Sequence, residues 1–252
     1  DGDNVVAGDQ ATITFLGGFF ATLTPTTPEI GGGDTITTGS GYDRIVAGTD
    51  ADWVDAGDGH NVVAGDHAII IQELGVLTLV ESTAFADGGV DLIFTGEGND
   101  LILGGTAGDT IHAGAGNDLV FGDHGQVAGA VDLTLLPLAM ATKPFVFTAI
   151  STQNLDADGR SVAGDDVIFA GAGDDIVLGQ QGDDIIFGVA GDDDLIGGHN
   201  VSLGQDGDDV IDGGAGFDVI AGDNASILRT GSNVSPRARI LAGTAMFDDR
   251  GN

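Results

Sequence analysis

Aspartate residues recur at nine-residue intervals along much of the 252-residue chain. Each precedes a triplet whose middle residue is aliphatic, with one exception, and a glycine usually lies two residues before it. Short carboxylates in glycine-rich turns are suited to holding a cation, because aspartate supplies charged oxygens and glycine conformations free backbone carbonyls. The metal ligands predicted from this series are Asp34, Asp43, Asp52, Asn61, Asp91, Asp100, Asp109, Asp118, Asp166, Asp175, Asp184, Asp193, Asn200, Asp209 and Asp218.

The composition points to the same chemistry. The chain has 40 acidic and 7 basic residues, a net charge of −33, and only four of its acids are glutamate. A general acidic surface would use both acids, so the preference for the shorter one indicates tight turns around something cationic. This charge repels nucleic acid and anionic membrane surfaces, so we expect no nucleic-acid partner and no membrane insertion. Cysteine is absent, which excludes disulfides and thiolate metal sites.

The nine-residue period also defines the elements that must position these carboxylates. Three residues make a short strand whose middle side chain points inward, and six glycine-rich residues make a turn. Two such rungs complete a flat coil of eighteen residues, and successive coils stack about 4.8 Å apart. Counting Asn4 as the first member, the series predicts sixteen rungs in eight coils.

Several segments carry a recognisable motif. Residues 39–48 (GSGYDRIVAG), 96–105 (GEGNDLILGG), 114–123 (GAGNDLVFGD), 171–180 (GAGDDIVLGQ) and 214–223 (GAGFDVIAGD) share one pattern. They resemble the nonapeptide G-G-x-G-x-D-x-U-x of the RTX (repeats-in-toxin, hemolysin-type) calcium-binding proteins. The resemblance recurs in register over roughly 150 residues. It implies an all-β fold, a parallel β-roll (RTX solenoid), here interrupted by apolar β-hairpin insertions.

The resemblance also implies where multiple Ca²⁺ ions bind. Each ion lies between two turns on the same edge of the roll, with carboxylates from both turns and carbonyls from the glycine positions. Calcium fits independently, since it takes six to eight oxygens, whereas the five histidines lack the spacing of a zinc site. We expect calcium binding and folding to be one event. The pairs predicted to share an ion are Asp34 with Asp52, Asp43 with Asn61, Asp91 with Asp109, Asp100 with Asp118, Asp166 with Asp184, and Asp175 with Asp193.

A purely structural role for these aspartates is the alternative, because aspartate in a turn can bond its own backbone. That role does not account for adjacent pairs such as Asp165–Asp166 and Asp183–Asp184. Two like charges side by side are unfavourable without a cation, which favours the calcium interpretation.

The chain is predicted to be one RTX array over residues 1–252, and its opening inside a motif predicts a segment of a longer protein. Four insertions that follow a Gly-Asp pair interrupt the array, and the sequences around Gly17–Gly18 and Gly75 are typical of hairpins. The rung blocks are 1–8, 31–65, 89–122 and 164–222, and the insertions are 9–30, 66–88, 123–163 and 223–252.

Outward positions of the predicted roll are unusually apolar, as at Leu101, Leu103 and Phe121. Such a surface is rarely left in water by a soluble protein, so something must cover it. Either the apolar insertions fold back on their own roll, or they cover a neighbouring subunit or the next unit of the array.

No nucleophile elbow, HExxH motif or phosphate-binding loop occurs in the sequence, so we expect no enzyme activity. The first hypothesis is a secreted structural or interaction protein that folds upon calcium binding, part of a cell-surface, matrix, adhesin or filament-forming assembly. We expect it to self-associate, or to contact neighbouring units, through the apolar insertions. The alternative is an accessory calcium-binding roll of a secreted enzyme or toxin. The resemblance implies export by a type I system and an extracellular or cell-surface location.

Overall fold

The structure, a computed structural model, describes residues 2–73, 75–129, 149–153, 163–201 and 204–227. Strands and turns make up this part of the chain, and it contains no helix that could span a membrane. The strands are Val5–Ala7 (β1), Ala11–Leu16 (β2), Phe19–Pro25 (β3), Thr35–Gly41 (β4), Arg44–Val46 (β5), Trp53–Gly59 (β6), Val62–Ala64 (β7), Ala68–Glu73 (β8), Val76–Ser82 (β9), Leu92–Phe94 (β10), Leu101–Leu103 (β11), Thr110–His112 (β12), Leu119–Phe121 (β13), Gly125–Ala128 (β14), Ala149–Thr152 (β15), Val167–Ala172 (β16), Ile176–Leu178 (β17), Ile185–Ala190 (β18), Asp194–Ile196 (β19), Val210–Asp212 (β20) and Val219–Ala221 (β21).

Two parallel sheets form the roll. Sheet 1 has eight strands in the order β1-β5-β7-β11-β13-β17-β19-β21, and sheet 2 has seven in the order β4-β6-β10-β12-β16-β18-β20. Neighbouring triplets pair in register, so that Ile102 lies opposite Val120 and Ile93 opposite Ile111. Since side chains alternate between the two faces of a strand, this register places every middle residue on the same face. The predicted parallel β-roll is confirmed.

The middle residues of the triplets form the core between sheets 1 and 2. Their aliphatic side chains are buried, and alanines at the start of several turns, such as Ala56 and Ala113, extend the same cluster. The buried middle residues are Ile36, Ile45, Val54, Val63, Ile93, Ile102, Ile111, Val120, Ile168, Val177, Ile186 and Leu195.

A third sheet, which we call the cover sheet, is antiparallel and has the order β15-β14-β9-β8-β3-β2. It is built from the insertions, and its two hairpins turn at Gly17–Gly18 and near Gly75, as predicted. Its inward residues, including Leu23, Ile70 and Val80, pack against the outer face of sheet 1. The outward side chains of sheet 1 are therefore buried from β7 to β19, and the described insertions fold back on their own roll.

The rung predicted at Asn200 is wrong. Strand β19 pairs directly with β21, and β18 with β20, so the chain around Asn200 is looped out of both sheets. Only seven residues separate Asn200 from Asp193, too few for a nine-residue rung, and the predicted middle residue is the polar Ser202, which lies outside the described residues. A serine hydroxyl in an aliphatic core would lack a hydrogen-bond partner. The roll thus has fifteen rungs in the part of the chain that the structure describes.

Candidate metal sites

The two edges of the roll carry the predicted ligands and differ in their turns. We call the edge where the chain passes from sheet 1 to sheet 2 the interrupted edge, because insertions leave it after β1, β7 and β13 and a shorter excursion leaves it after β19. The opposite edge, where six-residue turns run from sheet 2 to sheet 1, is the uninterrupted edge. The interrupted edge holds Asp34, Asp52, Asp91, Asp109, Asp166, Asp184 and Asp209, and the uninterrupted edge holds Asp43, Asn61, Asp100, Asp118, Asp175, Asp193 and Asp218.

Asn200 lies on neither edge. Its side-chain Oδ1 accepts a hydrogen bond from the backbone N–H of Thr152 at 2.9 Å, and its Nδ2 donates to the carbonyl of Ile150 at 3.0 Å. The amide therefore fastens the short excursion to β15 of the cover sheet.

A ladder of side-chain-to-backbone hydrogen bonds runs along the interrupted edge. The backbone N–H of each ladder aspartate donates to Oδ1 of the ladder aspartate in the next coil. The predicted pairs eighteen residues apart are adjacent, and the ladder also continues across the insertions. The N–H to Oδ1 bonds are Asp34 to Asp52 (2.6 Å), Asp52 to Asp91 (2.8 Å), Asp91 to Asp109 (2.7 Å), Asp109 to Asp166 (2.7 Å), Asp166 to Asp184 (2.8 Å) and Asp184 to Asp209 (3.0 Å).

The same ladder occupies the uninterrupted edge. There it begins at Asn4, the lone first member of the series, and includes one further amide at Asn61. The bonds are Asn4 to Asp43 (2.7 Å), Asp43 to Asn61 (3.2 Å), Asn61 to Asp100 (2.7 Å), Asp100 to Asp118 (2.7 Å), Asp118 to Asp175 (2.8 Å), Asp175 to Asp193 (2.9 Å) and Asp193 to Asp218 (3.2 Å).

The second carboxylate oxygen of many ladder residues has no hydrogen-bond partner. A buried polar group without a partner is costly, and a buried carboxylate more so, unless a cation or donor compensates it. The ladder repeats this arrangement coil after coil, which indicates a site built for a ligand rather than an isolated defect. Buried Oδ2 atoms without a hydrogen-bond partner belong to Asp43, Asp52, Asp91, Asp109, Asp166, Asp184, Asp193 and Asp209.

Glycines shape the space into which these oxygens point. A methyl group added to Gly65 would overlap both Oδ2 of Asp91 and the carbonyl oxygen of Gly104 in the next coil. The same pair of oxygens, one carboxylate and one carbonyl from the next coil, surrounds Gly122 and Gly179. Each such glycine leaves a cradle where oxygens from two coils converge, which is the donor set that calcium prefers.

Burial makes the charged ladder unfavourable by itself. It raises the pKa of Asp91 to about 8, with a further contribution from the carboxylate of Asp52. Burial raises the pKa of Asp184 to about 8 and that of Asp52 to about 7, and it raises the pKa values of Asp109 and Asp166 well above their usual range. A divalent cation would remove this penalty, since it favours the ionised carboxylates.

The donor set fits calcium, although no group of three or more His, Cys, Asp or Glu side chains converges among the described residues. The ladder offers two carboxylates for most gaps between coils, and one for the gaps next to Asn4 and Asn61, so backbone carbonyls must complete the shell. Calcium accepts this mixture, whereas zinc and copper favour nitrogen or sulfur ligands. Assignment of the fourteen ladder residues as ligands stays a prediction.

A second ladder, one residue before the first, was not predicted from the sequence. Here the side chain reaches forward: the N–H of Asp174 donates to Oδ1 of Asn117 at 2.9 Å, and the N–H of Asp192 donates to Oδ1 of Asp174 at 3.0 Å. The N–H of Asp183 donates to Oδ1 of Asp165 in the same way. The adjacent aspartate pairs therefore supply two ladders that run in opposite directions. The signal was the recurrence of Asn or Asp before the ladder residue.

Comparison with known proteins agrees with this geometry. The family model of the RTX calcium-binding nonapeptide repeat, which comprises four copies of the repeat, matches more than half of the chain. The gaps between matches fall mainly within the long insertions. A search of curated proteins found no match. The matched segments are residues 30–63, 85–120, 103–126, 161–195 and 203–225.

Proposed function

Because the chain belongs to the RTX calcium-binding nonapeptide repeat family, it is a calcium-binding protein, and we propose that it is a secreted structural or interaction protein. In this proposal it forms part of a cell-surface, matrix, adhesin or filament-forming assembly and performs no catalysis. Calcium joins the coils of the roll into a stiff rod, and apolar surface on that rod contacts other copies or neighbouring units of the array.

The outer face of sheet 2 is the observation that carries the proposal. Its outward residues include large apolar side chains, as those of sheet 1 do, yet the described insertions all cover sheet 1. Leu101 and Phe121 on sheet 1 are fully buried, whereas Ile185 and Val210 on sheet 2 are 38% and 61% exposed. An extended apolar surface that remains open to solvent is typical of an interaction site.

Aromatic rings give this face a regular structure. His112 stacks between Phe94 and Phe169, with ring centroids 4.8 and 4.6 Å apart, and Phe169 stacks on Phe187 at 5.0 Å. The ring faces contact one another, so the row presents ring edges outward. Ring edges of this kind pack well against a second apolar sheet. The row therefore favours self-association over the stacking of a flat ligand on its rings.

Secretion is supported by three features. RTX repeat proteins are typically secreted. The chain lacks cysteine, and a ladder that needs a cation suits surroundings rich in calcium. The buried carboxylates would oppose folding wherever calcium is scarce, so the chain would remain unfolded until it reaches such surroundings.

A calcium titration followed by circular dichroism and light scattering tests the proposal. We expect β signal and large assemblies to appear together in the unaltered protein. The variant Phe94→Thr/Phe169→Thr should fold with calcium but remain monomeric, since threonine already occupies outward positions of sheet 2 at Thr35 and Thr110. Phe15→Thr is the matched control, because Phe15 is 62% exposed on the cover sheet.

Three outcomes would contradict the proposed interface. Assembly lost only in Phe15→Thr would place the contact on the cover sheet. Equal assembly in all variants would exclude both surfaces. A protein that folds with calcium yet stays monomeric at high concentration would favour the accessory roll of a secreted enzyme or toxin.

A further inference from the structure

Three aspartates at the starts of the long insertions lie outside the ladder and have a common geometry. Asp9, Asp66 and Asp123 each follow the glycine that ends a sheet 1 rung, and from them the chain leaves the roll for more than twenty residues. Asp66 and Asp123 are almost completely buried, at 4% and 0% exposure. The nine-residue pattern gives them no role.

Each carboxylate contacts the chain where it returns from the insertion. The backbone N–H of Gly89 donates to Oδ1 of Asp66 at 3.0 Å, and that of Gly164 donates to Oδ1 of Asp123 at 3.2 Å. At the first insertion, a methyl group on Gly31 would overlap the carboxylate of Asp9, so the returning chain lies directly against it. One side chain thus joins the departing and returning chain.

The other carboxylate oxygen contacts the next coil. Oδ2 of Asp9 accepts a hydrogen bond from the N–H of Thr49 at 2.6 Å, and Oδ2 of Asp123 accepts one from Gln181 at 2.9 Å. The N–H of Thr106 donates to Oδ2 of Asp66 in the same way. These donors belong to the regular turns that follow on the interrupted edge, and each of those turns carries a ladder aspartate.

The turn residue beneath the carboxylate is adapted to it. Gly48 and Gly105 have φ angles of +125° and +127°, and a methyl group on either would overlap Oδ2 of the aspartate above. At the third insertion Gln180 takes this position, with φ of +89°. A positive φ is unfavourable for residues other than glycine, so the contact must hold the turn in this conformation.

The short excursion after β19 provides a contrast within the molecule. It adds only seven residues to the coil, since Asp193 and Asp218 are 25 rather than 18 residues apart. The position that corresponds to Asp66 is Gly198, and the carboxylate that lies against it belongs to Asp206 on the returning chain. The short excursion thus has its carboxylate on the returning chain, whereas the long insertions have theirs on the departing chain.

We propose that Asp9, Asp66 and Asp123, which we call the exit clasps, position the calcium ligands of the interrupted edge. In a regular turn the ladder aspartate is always the sixth residue after the preceding strand triplet, so the short chain constrains its position. A long insertion removes that constraint. The clasp restores it by fixing the returning chain against the next coil, so that Asp34, Asp91 and Asp166 align with their neighbours. The inference rests on calcium binding at the ladder and not on the proposed assembly.

The test compares Asp66→Ala with Asp58→Ala. Asp58 is a matched control, because its Oδ1 accepts the N–H of Glu97 at 3.0 Å and so joins the same two coils at the uninterrupted edge. Calcium content of the dialysed protein would be measured by elemental analysis, and backbone protection by hydrogen exchange in saturating calcium. We expect Asp66→Ala to raise the calcium midpoint several-fold, lose about two ions, and lose protection at the amides of Gly89, Thr106 and Asp52. Asp58→Ala should change none of these.

Asp9→Ala serves if Asp66→Ala does not fold, since it disturbs only the first coil and should release about one ion. Two results would overturn the proposal. An unchanged calcium content and midpoint, with only a lower melting temperature, would mean a purely structural role. Loss of one ion with full protection of the Asp52 and Gly89 amides would mean that the clasp aspartate is itself a ligand. Either result leaves calcium binding by the ladder intact.

Discussion

The two edges of the roll carry the same ladder on different chain paths. On the uninterrupted edge every ladder residue follows a six-residue turn, whereas on the interrupted edge regular turns alternate with insertions. The N–H to Oδ1 distances are nevertheless alike, 2.7 Å between Asp100 and Asp118 and 2.7 Å between Asp109 and Asp166. The ladder therefore depends on contacts between coils and not on the length of chain between them.

The difference also explains how the roll obtains a cover. Each rung block between the described insertions contains an even number of rungs, so every insertion leaves from the same edge and beside the same sheet. The hairpins can then pair with one another in one antiparallel sheet across sheet 1. Sheet 2 receives no such cover within the described residues.

Removal of calcium should have the largest effect and should act on both edges. We expect a chelator to abolish most of the β signal in circular dichroism at pH 8, because the ladder carboxylates would then be buried, charged and close to one another. Magnesium should not restore the signal at equal concentration, since it favours octahedral, partly hydrated sites. A chain that stays folded in chelator at pH 8 would contradict this.

A lower pH should partly replace calcium in stabilising the fold, as measured by the same circular dichroism experiment. The pKa of Asp91 is raised in the folded state to about 8, so the folded chain binds more protons than the unfolded chain between about pH 4 and pH 8. Protonation therefore stabilises the calcium-free fold fully below about pH 4, and this stabilisation is lost as the pH rises through 8. Calcium must displace these protons, so its apparent affinity should fall as the pH is lowered from 8.

Much of this architecture could be predicted from the sequence, because the nine-residue period determines which side chain of each strand points inward and which edge of the roll each aspartate occupies. The inward aliphatic residues, the two hairpins and the ladder pairs eighteen residues apart follow from local spacing. Contacts across insertions, such as Asp109 with Asp166, could not be predicted, since nothing local determines where a long insertion returns. The clasp aspartates explain that return, and their buried environment has no signature in the repeat.

The error at Asn200 has a different cause. The motif around it resembles a rung, but the step of seven residues from Asp193 is too short for a nine-residue rung. The chain instead leaves both sheets here, and the side chain of Asn200 forms hydrogen bonds with the backbone of Thr152 and Ile150. A repeat pattern identifies a rung only while its register is maintained.

Filling a glycine cradle on the interrupted edge with a methyl group should have the next largest effect. Gly122→Ala should destabilise the calcium-bound roll by about 1–3 kcal/mol and lower its calcium content, because the methyl group would overlap Oδ2 of Asp166 and the carbonyl of Gly179. Gly222→Ala is the matched control, since Gly222 holds the same position after β21 and has open space around it. Urea unfolding in saturating calcium measures both. Equal stability of the two variants would mean that Gly122 does not shape a cradle.

The smallest effect should come from the second ladder, whose residues directly precede those of the first. Asp174→Asn should change the free energy of unfolding by less than about 0.5 kcal/mol, because an amide Oδ1 can still accept the N–H of Asp192. Asn117 and Asn99 already perform this role one and two coils earlier on the same edge. Asp184→Asn should instead raise the calcium midpoint about tenfold, since it removes a buried carboxylate from the first ladder. If both substitutions raised the calcium midpoint equally, the adjacent aspartates would act together as ligands. The division into a first ladder that binds calcium and a second ladder that is structural would then be wrong.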